Sequence, residues 1–171
     1  MSRLKVAFPR MGIATIPLKG LLNELGFEAL DPPPVTRETL SLGSRYTPEF
    51  ACLPLKVTLG NYLQALPAGP DLVLMVGGVG PCRFGLYGEV QKEILEALGH
   101  QVDFMVIEPP KKNLAELAQD FTKRFGMGFW ARLPGALYIF FKKAAALDEV
   151  EKTVLALSPR LVPKERRSLW R

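Results

Sequence analysis

Along the chain, short apolar runs of strand length alternate with longer stretches of helical spacing, the order expected when parallel strands are covered by helices. Leu4 to Phe8 predicts a first strand, ended by Pro9. Leu18, Leu21, Leu22 and Leu25 then share one face of a helix. Pro17 opens that helix, where its missing N–H is harmless, and Gly26 stops it. Phe27 to Leu30 predicts a second strand, cut off by Asp31-Pro32-Pro33-Pro34. Thr36 is placed to cap a helix running to about Leu42, and Gly43 to Cys52 reads as loop.

From Leu53 to Leu66 the apolar positions Leu55, Leu59, Leu63 and Leu66 recur at near-helical spacing, so Cys52-Leu53-Pro54 marks a helix N-terminus. Asp71 to Val76 is the clearest buried strand, continuously apolar as a central parallel strand is, and it runs into Gly77-Gly78-Val79-Gly80-Pro81-Cys82-Arg83-Phe84-Gly85. A helix is expected from about Leu86 to Leu98, stopped by Gly99, and a fourth strand from Val102 to Ile107, ended by Pro109-Pro110. Helical patterns follow over Leu114 to Phe125 and Ala136 to Leu157, with Gly126-Met127-Gly128 and Pro134-Gly135 as breaks. There is no internal repeat. The expectation is an α/β fold with an open, mainly parallel sheet of about four strands flanked by helices. This is a Rossmann- or flavodoxin-like three-layer sandwich, read as one domain over residues 1–158 with a basic tail over 159–171.

Composition sharpens this reading. A chain of 171 residues that is 48% hydrophobic and 23% charged can bury a core without disulfides or a structural metal. No apolar run approaches the roughly 20 residues that span a bilayer, and Met1-Ser2-Arg3-Leu4-Lys5 leads into a run too short for a signal peptide. The expectation is therefore a cytoplasmic protein with no membrane partner. The net charge of +5 would suit nucleic acid, but Arg160, Lys164, Arg166, Arg167 and Arg171 concentrate the excess at the end of the chain. With no aromatic-interleaved basic stripe, no nucleic-acid partner is expected.

Open parallel sheets bind ligands beyond the carboxyl ends of their strands, and both cysteines, Cys52 and Cys82, fall there. A cysteine at a helix N-terminus has its thiolate favoured by unpaired N–H groups and the helix dipole, which makes it a better ligand or nucleophile. The alternative is a pair of small buried hydrophobes. The glycines around Cys82, Gly80 among them, permit positive φ and close backbone approach. Arg10, Lys56 and Arg83 are candidate anion contacts, with plain surface charge as their other reading. Gly77-Gly78-Val79-Gly80 has neither the Lys-Ser/Thr sequel of a phosphate loop nor the glycine spacing of a dinucleotide site. His100 is the only histidine and reads as a surface residue, so a Cys-His catalytic pair has little support. Glu89, Glu93 and Glu96 read as a solvated helix face.

Three segments carry a resemblance: Val6-Ala7-Phe8-Pro9-Arg10; Glu49-Phe50-Ala51-Cys52-Leu53-Pro54-Leu55-Lys56; and Gly77 to Gly85 with Tyr87 and Gln91 beyond it. Over roughly residues 3–110 the chain resembles the 2-hydroxyacyl-CoA dehydratase and activase-related (double-cubane cluster) superfamily. The resemblance implies an anaerobic iron–sulfur protein that receives electrons from an ATP-hydrolysing activase of the sugar-kinase-like fold and reduces or dehydrates difficult substrates. It implies that Cys52 and Cys82 are metal ligands, with Gly80 and Arg83 beside the cofactor.

The chain departs from that pattern, because members of the family are longer and contribute at least a third cysteine from a second domain. A four-iron cluster needs about four ligands. The expected 4Fe-4S cluster is therefore shared, either in a symmetric homodimer that brings two copies of Cys52 and Cys82 together or with a partner subunit. The function expected is a low-potential electron-transfer or reductive component of an ATP-dependent iron–sulfur reductase or 2-hydroxyacyl-CoA dehydratase. Two other readings stay open. One is a non-catalytic scaffold or regulatory subunit, and the other is a thiol-redox or CoA-binding domain in which the two cysteines pair reversibly.

Overall fold

In the computed structural model the described residues are 3–78, 82–107 and 114–158. Four parallel strands form one sheet: β1 (Lys5–Ala7), β2 (Glu28–Ala29), β3 (Leu72–Val76) and β4 (Asp103–Ile107), in the order β2-β1-β3-β4. The strand order reverses between β1 and β3, so the crevice beyond their carboxyl ends is the expected ligand position of such a sheet. Strand periodicity divides the core. Ala7, Val73 and Met75 point to one face, and Val6, Phe8, Leu72 and Leu74 to the other.

The first face is covered by α3 (Leu53–Ala65) and α4 (Tyr87–Ala97), with α2 (Arg37–Tyr46) packed outside α3. Leu55, Leu59, Tyr62 and Ala65 of α3 lie buried against the sheet. Thr36 caps α2 as expected, through a reciprocal pair with Thr39. That helix does not stop at Leu42 but runs through Gly43 to Tyr46, so the expected loop is shorter. The reason is tertiary. Gly43 is buried where α2 crosses α3, and a Cβ there would overlap the Lys56 carbonyl oxygen. Gly60 of α3 makes the same approach to the Thr39 carbonyl. A glycine that reads in sequence as a breaker is here the point of closest helix contact.

The second face carries α1 (Thr15–Leu25), α5 (Leu114–Phe125) and α6 (Met127–Leu157). Gly26 ends α1 in the left-handed conformation at φ +99°, as its position predicts. The 31-residue α6 corrects the expectation of a break at Pro134-Gly135. Interior proline costs about 3 kcal/mol of helix stability. Phe129 and Ala136 are nevertheless both buried on either side of it, so packing carries the helix through. Gly126 does separate α5 from α6. This face is filled by aromatic contacts among Phe27, Phe121, Phe125, Phe129 and Trp130. It retains an apolar cavity of about 570 Å³ bounded by Leu21, Leu74, Met105, Phe121 and Leu133.

None of the helices among the described residues is long and apolar enough to cross a membrane. Gly80, Pro109-Pro110 and the basic tail at 159–171 lie outside the described residues.

Candidate functional site

Both cysteines occupy N-cap positions at the carboxyl edge of the sheet. Cys52 caps α3, whose first turn holds Pro54, and Cys82 precedes a four-residue 3₁₀ turn, Arg83–Leu86, that leads into α4. Cys82 thus lies on the loop leading into α4, whose first residue is Tyr87, one position from the expected start at about Leu86. Both thiols are free and exposed.

Tyr87 joins the two loops. Its ring is buried in the core of the first face and packs at 5.2 Å from Phe84, while its hydroxyl is hydrogen-bonded to Cys52 Sγ. That bond is the largest reason why the Cys52 thiol lies below its ordinary pKa of 9.0. Desolvation opposes it, and the Leu55 backbone N–H and the Arg83 guanidinium add to it. The helix-terminus effect expected from sequence is thus present but secondary to a tyrosine hydroxyl. Tyr87 moves the other way. Burial, the hydrogen bond with Cys52, and the charges of Cys52 and then Cys82 push its pKa up to about 12. The hydrogen bond to Tyr87 thus brings Cys52 to the turn Arg83–Leu86 that follows Cys82, so Cys52, Cys82 and Arg83 share one corner of the fold.

The remaining candidates divide. Arg83 belongs to the corner. Lys56 does not: its ammonium donates to the Glu49 carbonyl at 3.2 Å and ties down the loop before Cys52. Arg10 donates through its guanidinium to the Pro32 carbonyl at 3.3 Å, which makes it a contact between the β1 and β2 loops. Gly77, Gly78 and Gly85 do not use positive φ, so for these three the conformational part of the glycine argument is corrected, while Gly80 lies outside the described residues. Gly85 is needed for a close approach within the chain, since a Cβ there would overlap the Gly78 carbonyl oxygen. His100 is exposed past the C-terminal end of α4, the opposite end from Tyr87, and Glu89, Glu93 and Glu96 are exposed as expected.

Polar residues beneath the corner carry no local sequence signal. Gln91, one turn after Tyr87 and fully buried, donates from Nε2 to Thr58 Oγ1 at 2.7 Å, and Thr58 donates to the Pro54 carbonyl at 2.8 Å. This chain of bonds braces α4 against the first turn of α3. Gln91 Oε1 is left without a partner. Asn61 accepts from Arg10 N at 3.1 Å and donates to the Pro33 carbonyl at 3.1 Å, which fixes the loops after β1 and β2 to α3. Around the thiols the surface is apolar, with Phe50 at 80%, Leu53 at 59% and Leu86 at 63% exposure. No group of three or more His, Cys, Asp or Glu able to hold a metal ion occurs among the described residues. Comparison with family models, curated proteins and solved structures gives no match to the chain.

Proposed function

We propose that Cys52 and Cys82 provide two thiolate ligands of an iron–sulfur cluster whose other ligands come from a second chain. On this reading the protein is a low-potential electron-transfer or reductive component supplied by an ATP-hydrolysing activase. The observation that carries it is the hydrogen bond between the exposed Cys52 thiol and the Tyr87 hydroxyl, which sets Cys52 beside the turn that carries the exposed Cys82 and Arg83, with Phe50, Leu53 and Leu86 exposed on the same two segments.

Two soft thiolates suit iron, and a lowered pKa at Cys52 lessens the proton that ligation must displace. They fill two of about four positions, and the described residues offer no third donor in a group. A second chain is therefore required, whether another copy contributing its own Cys52 and Cys82 or a distinct subunit. The apolar rim suits such a cover, since a partner there would also exclude water. When bound, the cluster supplies one-electron chemistry. The chain's own part is to present the two sulfurs, to stabilise thiolate at Cys52 through the Tyr87 hydroxyl, and to hold a cation, Arg83, nearby.

The test is iron and acid-labile sulfide content, with the visible spectrum, of protein purified without oxygen beside Cys52→Ser and Cys82→Ser. Iron and sulfide bound by the native chain and lost from both variants support the reading. A colourless, metal-free protein after reconstitution with iron and sulfide, alone and with its co-purifying partners, sinks it. A second reading, reversible pairing of Cys52 and Cys82, is favoured by the fact that both thiols are free and exposed and that Cys52 bonds to Tyr87, which follows the turn entered from Cys82. Thiol titration before and after mild oxidation separates the two: loss of both thiols with no change in mass beyond two hydrogens marks a disulfide.

A further inference from the structure

The face of the sheet covered by α1, α5 and α6 holds a space that the cysteine corner does not use. Its cavity of about 570 Å³ lies among those helices and β1, β3 and β4, with Leu22, Leu74, Met105, Phe121 and Leu133 in its wall. That volume falls in the range of about 300–1,000 Å³ usual for small-molecule sites. The wall asks for no hydrogen bond. Among the described residues that line it, Trp130 alone carries an N–H or O–H on its side chain, and it already donates from Nε1 to Thr122 Oγ1 at 2.7 Å. Such a cavity takes apolar matter, because water inside it would find no partner. Left empty, its lining forfeits dispersion contacts on one side.

At one end the cavity borders on charge. Leu25, Phe27, Phe125 and Phe129 line both it and a neighbouring pocket of about 660 Å³ at the amino ends of β1, β2 and β4. That pocket sets Arg3, Arg124 and Arg132 beside a single carboxylate, Asp103. Arg124 pairs with Asp103 and lies 6.0 Å from the centre of the Phe125 ring, at the boundary between the two spaces. Arg132 lies over Gly26, where a Cβ would overlap its Nη1, and donates to the Leu25 carbonyl at 3.4 Å. With Asp103 answered by Arg124, the pocket keeps an excess of positive charge next to an apolar cavity. We propose that the two spaces form one site for a single-chain anionic amphiphile, its alkyl tail in the cavity and its carboxylate or phosphate head among Arg3, Arg124 and Arg132. A neutral lipid would leave the guanidinium groups without a counter-charge, and a small anion would leave the cavity empty. An alkyl acid uses both, and the guanidinium fork matches the paired oxygens of either head.

The site lies across the sheet from Cys52 and Cys82, and its charged pocket is at the opposite ends of the strands, so it stands independently of the cluster reading. The experiment is a titration of the full chain carrying Trp170→Phe, which leaves Trp130 as its one tryptophan, with ω-bromododecanoate, whose bromine quenches a ring it touches. Saturable quenching is expected, and dodecanoate should raise the thermal midpoint. Arg3→Gln combined with Arg132→Gln should weaken dodecanoate severalfold and leave the weaker binding of dodecanol unchanged. Ala118→Phe, which fills part of the cavity, should abolish both. Arg3 and Arg132 are exposed, so their double variant keeps its circular dichroism and tests the head even where the cavity variant fails to fold. Dodecyl phosphate beside dodecanoate tells which head the pocket prefers, and saturable binding of either supports the site. Absence of quenching and of any midpoint shift with both acids would overturn the proposal. So would dodecanol or dodecylammonium binding as tightly as the acids, or quenching that persists in a folded Ala118→Phe variant.

Discussion

The two faces of the sheet are built by different means. On the face covered by α3 and α4, with α2 outside, lie all the buried polar residues among those described: Thr39, Thr47, Asn61 and Gln91. Thr39, Asn61 and Gln91 are bonded across elements, Thr39 donating to Gln64 at 2.7 Å, and the buried Tyr62 donates to the Leu74 carbonyl at 2.8 Å. The opposite face is held by aromatic and aliphatic contacts and keeps an apolar cavity. Hydrogen bonds are directional and expensive to leave unmade, so they locate atoms closely, whereas apolar packing asks mainly for volume. The cysteine corner stands on the located face. The looser face carries the long helix α6, on which Met127, Tyr138 and Phe141 are exposed. A reactive or ligating pair needs its sulfurs placed within fractions of an ångström, and the polar framework beneath α3 and α4 is suited to that.

The comparison can be broken at several points. The largest effect is expected at the α2–α3 crossing. Gly43→Ala and Gly60→Ala each drive a methyl into a backbone carbonyl, and should cost about 3 kcal/mol or more, the upper range of overpacking. Chemical denaturation measures it, and a loss below about 1 kcal/mol in both would show that the crossing is not tight. Next is a matched insertion on each face. Ala65→Leu, into the buried core beside α3, should destabilise by about 1–3 kcal/mol. Ala118→Leu, beside the cavity, should be within about 1 kcal/mol of neutral or stabilising. Equal costs would erase the distinction between the faces.

Smaller effects test the corner. Tyr87→Phe removes the hydrogen bond that most favours the Cys52 thiolate, so the Cys52 pKa should rise toward 9.0 and its alkylation by iodoacetamide at neutral pH should slow severalfold. A Cys52 rate unchanged in the variant would mean that the α3 terminus and Arg83 suffice. The pH dependence follows from the opposite shift of Tyr87. Its folded-state pKa of about 12 lies above the ordinary 10.0, so the neutral form stabilises the fold. That contribution is fully present below pH 10 and is lost as pH rises through about 12. Denaturation midpoints of native protein and Tyr87→Phe should therefore converge over that window. Parallel curves would assign the alkaline loss to other groups.

Much of this molecule is written in local pattern. The four strands are legible because each is a short apolar run closed by proline, glycine or aspartate. The helices over α1, α3 and α4 are legible because their apolar residues recur at helical spacing. The placement of Cys52 and Cys82 on loops that enter helices at the sheet edge follows from the same reading. Local signals failed where a residue's role depends on what lies opposite. Gly43 reads as a stop and is a crossing point, and Pro134 reads as a break and is spanned by a helix packed on both sides of it. Arg10 and Lys56 read as candidate anion contacts or plain surface charges, and the structure engages both with loop carbonyls.

Tyr87 shows the division most clearly. Sequence places a tyrosine five residues after Cys82 at the start of a helix. Only the parallel sheet, which sets the start of α4 beside the start of α3, brings its hydroxyl to the sulfur of a cysteine 35 residues earlier. Periodicity reports which side of an element is apolar, because burial of that side is what a short segment can contribute by itself. Which atoms meet across elements is a property of the packed whole, since pairings such as Tyr87 with Cys52 or Gln91 with Thr58 come into being only once the intervening chain has closed.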